Sequence, residues 1–247
     1  MPARWPPRLP QCCHRPAPAI LDSSARMIAY RLEASYREVG FTPIDLQFWE
    51  RDRIAETARD IVAGRGQRER RLDFSSIHFR ELRDAVDRAA EQVAVRPDWD
   101  LEYYWNARRG ILTYYSPLFL GVDNKSYLKS ASLECIGEGL SLYLLEDRFK
   151  HPDLFALDLF CRPLGSSPDL MMSYRLDPSR LALVEAKATE DVNLKAALVR
   201  AVKQLISIFQ GWQNHRDLTK TDGFAVATSI STPGVFKVSV LKMVFVP

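Results

Sequence analysis

No apolar run in this 247-residue chain approaches the roughly 20 residues that a membrane-spanning helix needs, because charges interrupt even the best stretches. A membrane is therefore set aside as a partner, and a soluble chain is expected. Cysteine is scarce: Cys12 and Cys13 are adjacent in a Pro-rich tail, while Cys135 and Cys161 stand alone inside apolar stretches. No C-x-x-C pair exists to hold zinc or shuttle electrons, and a reducing, cytoplasmic setting fits best. The four histidines, His14, His78, His151 and His215, are far apart and show no H-x-x-x-H spacing. Strong charge of one sign is absent too. A formal net charge of +3 and a pI near 8.7 permit a polyanionic partner without demanding one, so any case for nucleic acid has to be local. Residues 1–26 carry many prolines and no apolar run of secretory-signal length, and are expected to be a disordered tail.

What is present divides at about residue 128. From Met27 the pattern is read as mainly helical: IAYRLEASYREVG, then FWERDRIAETARDIVAG and FRELRDAVDRAAEQVAV, the last two separated by Gly64 and Gly66. Between them RGQRERR concentrates Arg65, Arg68, Arg70 and Arg71 in what reads as a solvated loop. LEYYWNARRGILTYYSPLFLG, rich in aromatic and β-branched residues around Asn-Ala-Arg-Arg-Gly, suggests a hairpin. Residues 27–128 are thus expected to form a helical accessory region, with a homodimer or a partner protein as its possible contacts.

Residues 129–247 read differently. Ser130 or Ser132 can cap a helix, LECIGEGLSLYLLEDRF, that places Glu134 and Glu138 one turn apart. DLFALDLFCRP, DLMMSYRL and LALVEAKA follow as three strand candidates separated by the turns RPLGSSP and LDPSR. Asp191 can cap the next helix, where Leu194, Ala197, Leu198, Ala201, Leu205, Ile208 and Phe209 recur at helical spacing. GFAVATSIS and VFKVSVLKMVFV close the chain around Thr232-Pro233-Gly234. The order is α-β-β-β-α-β-β, an α/β pattern.

One strand carries a conflict. In LALVEAKA, Glu185 and Lys187 project from the same face while Val184 and Ala186 point the other way. A Glu and a Lys inside an apolar strand are costly to bury unless each has a partner. If the preceding turn centres on Pro178, antiparallel pairing sets Asp169 opposite Lys187, within one or two residues. Two carboxylates that repel in an empty site become favourable around a divalent cation, and a lysine beside them offsets residual charge. That combination suits phosphodiester hydrolysis, which needs a hard cation on phosphate oxygens and a positive group near the attacking water. Asp123-Asn124-Lys125 repeats the acid-x-Lys spacing in a polar turn, and Pro152-Asp153 and Asp158 are rival partners. Pairing about Gly165 sets Asp158 near Met172, away from Asp169, so Asp169 is preferred. Taken without Asp169, an exposed ion pair on an edge strand explains Glu185 and Lys187 equally well.

Pro168-Asp169 followed across a hairpin by Glu185-Ala186-Lys187 resembles the signature of the PD-(D/E)XK nuclease superfamily, which includes the restriction endonucleases. The element order of roughly the last 120 residues is similar to that family's core, and residues 1–128 contribute nothing to the likeness. The resemblance implies a restriction-endonuclease-like fold, its strands forming a mixed central sheet flanked by helices, that hydrolyses DNA by in-line attack with Mg²⁺ or Mn²⁺. It implies Asp169, Glu185, the Ala186 carbonyl and Glu138 as metal ligands, Lys187 as the group that activates water, and Gln204 as a site residue on the following helix. Lys195, Arg200 and Lys203 on the long helix, and Arg175 and Arg180 flanking the hairpin turn, supply cations suited to phosphate contacts, and a solvated helix face explains them equally well. A catalytically inactive module on the same fold, binding nucleic acid or a protein, is the competing expectation.

Overall fold

The computed structural model describes residues 29–41, 51–64, 70–72, 76–90, 126–146, 168–212, 218–232 and 234–245. The tail, the hairpin expected around 101–121 and the strand expected around 153–163, with Asp153, Asp158 and Cys161, lie outside them. The described elements run β1 (Ala29–Phe41), α1 (Arg51–Ala63), β2 (Arg70–Arg71), β3 (Ser76–His78), α2 (Phe79–Ala90), α3 (Ser126–Leu145), β4 (Leu170–Ser173), β5 (Leu181–Thr189), α4 (Leu194–Trp212), a 3₁₀ turn (Leu218–Lys220), β6 (Thr221–Thr232) and β7 (Val235–Phe245).

The strands form one mixed seven-stranded sheet in the order β2-β1-β7-β6-β5-β4, with β3 also paired to β1. β5 lies parallel to β6 and β1 parallel to β7, whereas β4 with β5 and β6 with β7 are antiparallel. The parallel β5–β6 joint requires a crossover, and α4 provides it. α4 therefore starts beside the C-terminal ends of β5 and β6 and runs back along them.

Strand parity divides the core in two. Tyr30, Leu32, Phe236, Val238, Phe224, Val184 and Leu170 face α2 and α3, while Phe41, Met243, Ala225, Leu183 and Met171 face α1 and α4. On α4 the apolar positions predicted from helical spacing are buried except Leu194, which is half-buried, and Phe209 and Trp212 are fully enclosed. These faces remove the apolar side chains from water at about 25 cal/mol per Å², which makes their segregation the main source of order in the sheet.

Residues 29–41 correct the helical expectation. They form a strand because Tyr30, Leu32 and Ala34 are buried in alternation with Ala29, Arg31 and Glu33, a period of two that the interspersed charges obscure at helical spacing. β1 pairs with β7 along eleven residues, so this segment belongs to the same sheet as the end of the chain. α1 and α2 are helical as expected, and each packs against a helix of the later half, α4 and α3 respectively. Arg70 and Arg71, read as loop, add a two-residue strand to β1. α3 begins at Ser126, so Ser130 and Ser132 lie inside it rather than at its cap. Asn193, not Asp191, caps α4, its Oδ1 accepting the Lys195 amide at 3.0 Å.

Two glycines let α3 approach closely. A Cβ on Gly137 would stand 3.2 Å from Cβ of Ala188, and one on Gly139 would stand 2.4 Å from Cγ2 and 3.1 Å from the amide nitrogen of Val86. Each glycine costs about 1 kcal/mol of helix propensity against alanine, a cost offset by the tight seat of α3 between β5 and α2. Gly139→Ala is expected to lower stability by about 1 to 3 kcal/mol through overpacking, as read from urea denaturation, with Val86→Ala recovering part of the loss. An unchanged midpoint in Gly139→Ala contradicts this packing.

Candidate active site

β5 is longer than its neighbour. Leu170 pairs with Val184, after which β5 continues through Thr189 with β6 on one side and, among the described residues, no strand on the other. Asp169 immediately precedes β4. Extending the observed register sets it level with Glu185, two positions short of the Lys187 expected from a turn centred on Pro178. The turn itself is Asp177–Arg180, where the Arg180 amide donates to the Asp177 carbonyl at 3.0 Å and Asp177 Oδ1 accepts from Ser179 Oγ at 2.6 Å.

Along this length of β5 the Asp169 carboxylate meets an edge that no described strand pairs with. Its Oδ2 accepts the Ala186 amide at 2.9 Å and the Lys187 ammonium at 3.2 Å. Lys187 Nζ also donates to Glu185 Oε2 at 3.1 Å. Parity places all three side chains on the α4 side of the sheet. Glu185 is only 1% exposed, whereas Asp169 and Lys187 keep 24% and 23% of their side-chain surface. The cluster thus has a buried floor and a partly open mouth.

Its electrostatics follow from burial and crowding. Desolvation, then the adjacent Asp169 carboxylate, raise the Glu185 carboxyl to about 9, with Lys187 opposing the rise. Lys187 Nζ lies within 3.2 Å of one oxygen of each carboxyl, so the two acids are neighbours. Burial disfavours the Lys187 charge, but Asp169 and Glu185 outweigh it and hold the ammonium above its ordinary range.

The remaining predicted residues are dispersed. Glu138 is buried, unlike the exposed Glu134 one turn before it, yet α3 lies on the sheet face opposite α4. Among the described residues no group of three or more His, Cys, Asp or Glu side chains is arranged to hold a metal ion. Gln204 is exposed on α4. Lys195 is exposed in the first turn of α4, at the cluster end of the sheet; Arg200 and Lys203 follow, Lys203 about 12 Å further along the helix axis. Arg175 sits in the β4–β5 turn at the other end of β5, about 20 Å of strand from Lys187, where its Nη2 donates to the Glu146 carbonyl at 3.4 Å.

A second charged group escaped the sequence reading. Asp222, at the start of β6 and 1% exposed, accepts from Arg180 Nη2 at 2.8 Å, from the Tyr174 hydroxyl, and pairs with Lys242 at 3.4 Å. The signal was available, since Asp222 also interrupts an apolar strand, but no neighbour at motif spacing drew attention to it.

The donor set suits a hard cation: two adjoining carboxyls and the backbone carbonyl of Ala186, at a mouth open to water. Magnesium commonly binds through one or two carboxylates and keeps several waters. The chain matches no family model, no curated protein and no solved structure.

The buried carboxyl makes stability depend on pH. With its folded value near 9 and its ordinary value 4.5, Glu185 holds a proton in the folded chain that the unfolded chain has lost between those limits. Its contribution to stability therefore falls as pH rises from about 4.5 to 9 and is flat below that window. Without metal, Glu185→Gln is expected to gain stability over wild type progressively across this range in denaturant titrations. Parallel stability curves for the two proteins contradict the assignment.

Proposed function

We propose that the chain is a divalent-metal-dependent nuclease of the PD-(D/E)XK type that hydrolyses DNA phosphodiester bonds. The observation that carries this reading is the bridging of Asp169 and Glu185 by Lys187 Nζ, at 3.2 and 3.1 Å, on the uncovered length of β5. Two titratable side chains inside an otherwise apolar strand, Glu185 and Lys187, with Asp169 brought against them from just before β4, oppose folding unless something uses them. The mixed sheet covered by helices on both faces, and the Pro168-Asp169 and Glu185-Ala186-Lys187 sequences meeting across one hairpin, agree with a restriction-endonuclease-like core.

In this reading Asp169, Glu185 and the Ala186 carbonyl hold Mg²⁺ or Mn²⁺. The ion, when bound, draws charge from a phosphate oxygen and lowers the pKa of water. Lys187 lies on the same face, where its ammonium can orient the attacking water and offset the charge that develops on the phosphorus centre. The Ala186 amide keeps the Asp169 carboxylate from rotating away. Lys195 is the cation best placed for a phosphate next to the cluster, with Arg200 and Lys203 following along α4; Arg175 serves only a more distant part of the substrate.

Lys187→Ala is expected to retain divalent-metal and DNA binding while losing about 10² to 10³ in cleavage rate, the usual effect of removing one preorganised charge. The measurement is Mg²⁺-dependent cleavage of linear and supercoiled DNA, with Mn²⁺ binding followed in parallel. Undiminished cleavage by this variant overturns the catalytic assignment, and metal binding without cleavage by wild type favours a non-catalytic module.

A further inference from the structure

β4 is short and marginal: its ladder to β5 spans Leu170 to Ser173, and no described strand lies on its outer side. The position of Asp169 nevertheless depends on this strand holding its register, because a one-residue slip turns every side chain to the opposite face. A four-residue edge ladder is a weak device for that purpose.

A second device is present at the far end of the hairpin. Tyr174, just beyond β4, receives an amide bond onto its partner, its own N–H donating to the Arg180 carbonyl at 3.2 Å. Both side chains then leave the hairpin for β6. The Tyr174 hydroxyl donates to Asp222 Oδ2, and Arg180 Nη2 donates to Asp222 Oδ1 at 2.8 Å. The Arg180 guanidinium also stacks over the Tyr174 ring, 5.2 Å from its centroid. Asp222 pairs in register with Ala182, whose small, buried side chain leaves room for the tyrosine to cross β5. On its other side Asp222 Oδ2 meets Lys242 of β7 at 3.4 Å, and Lys242 meets Glu38 of β1 at 3.6 Å. One carboxylate thus grips both arms of the hairpin and ties them to the centre of the sheet.

We propose that Asp222, Tyr174 and Arg180 form a register lock that positions Asp169 against Ala186 and Lys187. By parity the lock occupies the α3 face while the cluster occupies the α4 face, about 16 Å along the strand, so these three are positioning residues and touch neither metal nor substrate. The geometric part stands on the contacts alone; only its consequence for catalysis rests on the nuclease reading. Burial in the first place, and the bond to Asp222, raise the Tyr174 hydroxyl well above its ordinary range, which keeps it a donor throughout the working pH range.

The amide of Ala186 reports the position of Asp169 without any appeal to activity. In Tyr174→Phe, which removes one hydroxyl, hydrogen exchange at Ala186 measured by NMR is expected to accelerate about tenfold, while exchange at Val226 in the middle of β6 stays within about twofold of wild type. Arg180→Gln is expected to do the same. A uniform acceleration at both amides, or none at Ala186 in either variant, overturns the lock. Selective acceleration at Ala186 in a chain that proves unable to cleave DNA upholds the lock and refutes the nuclease reading. If both readings hold, Tyr174→Phe lowers kcat with little change in KM.

Discussion

Beyond Val184 the backbone of β5 faces outward without β4, and the amide of Ala186 is satisfied by a carboxylate instead of a carbonyl, Asp169 Oδ2 at 2.9 Å. A carbonyl there would continue the sheet and leave no negative charge at its edge. The carboxylate satisfies the same donor, brings a charge with it, and so draws in the ammonium of Lys187, which in turn reaches Glu185. The arrangement of the cluster follows from that one substitution of side chain for main chain. The cluster lies just past the β4 ladder, where among the described residues no strand pairs with that edge of β5.

The rest of the fold supports this edge from both faces. α4 covers one face through Leu198, Ala201, Leu205 and Phe209, and α3 is pressed onto the other at Gly137 and Ala188. Close packing on either side excludes water from Glu185 and accounts for its raised carboxyl, since desolvation is the largest influence on it. Asp222 repeats the pattern at the opposite end of the same strands, but with Arg180, Lys242 and Tyr174 as partners. There the carboxylate is saturated by donors, which suits a structural lock. At Glu185 and Asp169 two acids share a single lysine.

Much of this was legible in the sequence because period and parity are local. The apolar recurrence in α4 and the alternation of Glu185 and Lys187 with Val184 and Ala186 depend only on residue spacing, and both appear as read. Asp169 was harder, because its partner depends on where a turn closes; the register settled two residues away from the turn-centred expectation, and the side chain still reaches Lys187. β1 was misread as helix because its buried alternation is interspersed with charges that also suit a helical face, and its pairing partner, β7, lies some 200 residues later. Asn193 displaced Asp191 as the cap of α4 because the Asp191 amide and carbonyl are already engaged by Thr189 and Ser229 in the loop. The Asp222 lock went unread for a related reason, since it joins β6 to residues at the two arms of a distant hairpin and has no motif spacing.

The account turns on whether the two acids bind a cation beside Lys187. Anomalous diffraction from crystals of the chain soaked in Mn²⁺ tests this most directly. The prediction is one peak about 2.1 to 2.3 Å from carboxylate oxygens of Asp169 and Glu185 and from the Ala186 carbonyl, with Lys187 moved off at least one of its present partners. A crystal in which Mn²⁺ avoids these oxygens and Lys187 continues to bridge both acids would contradict it.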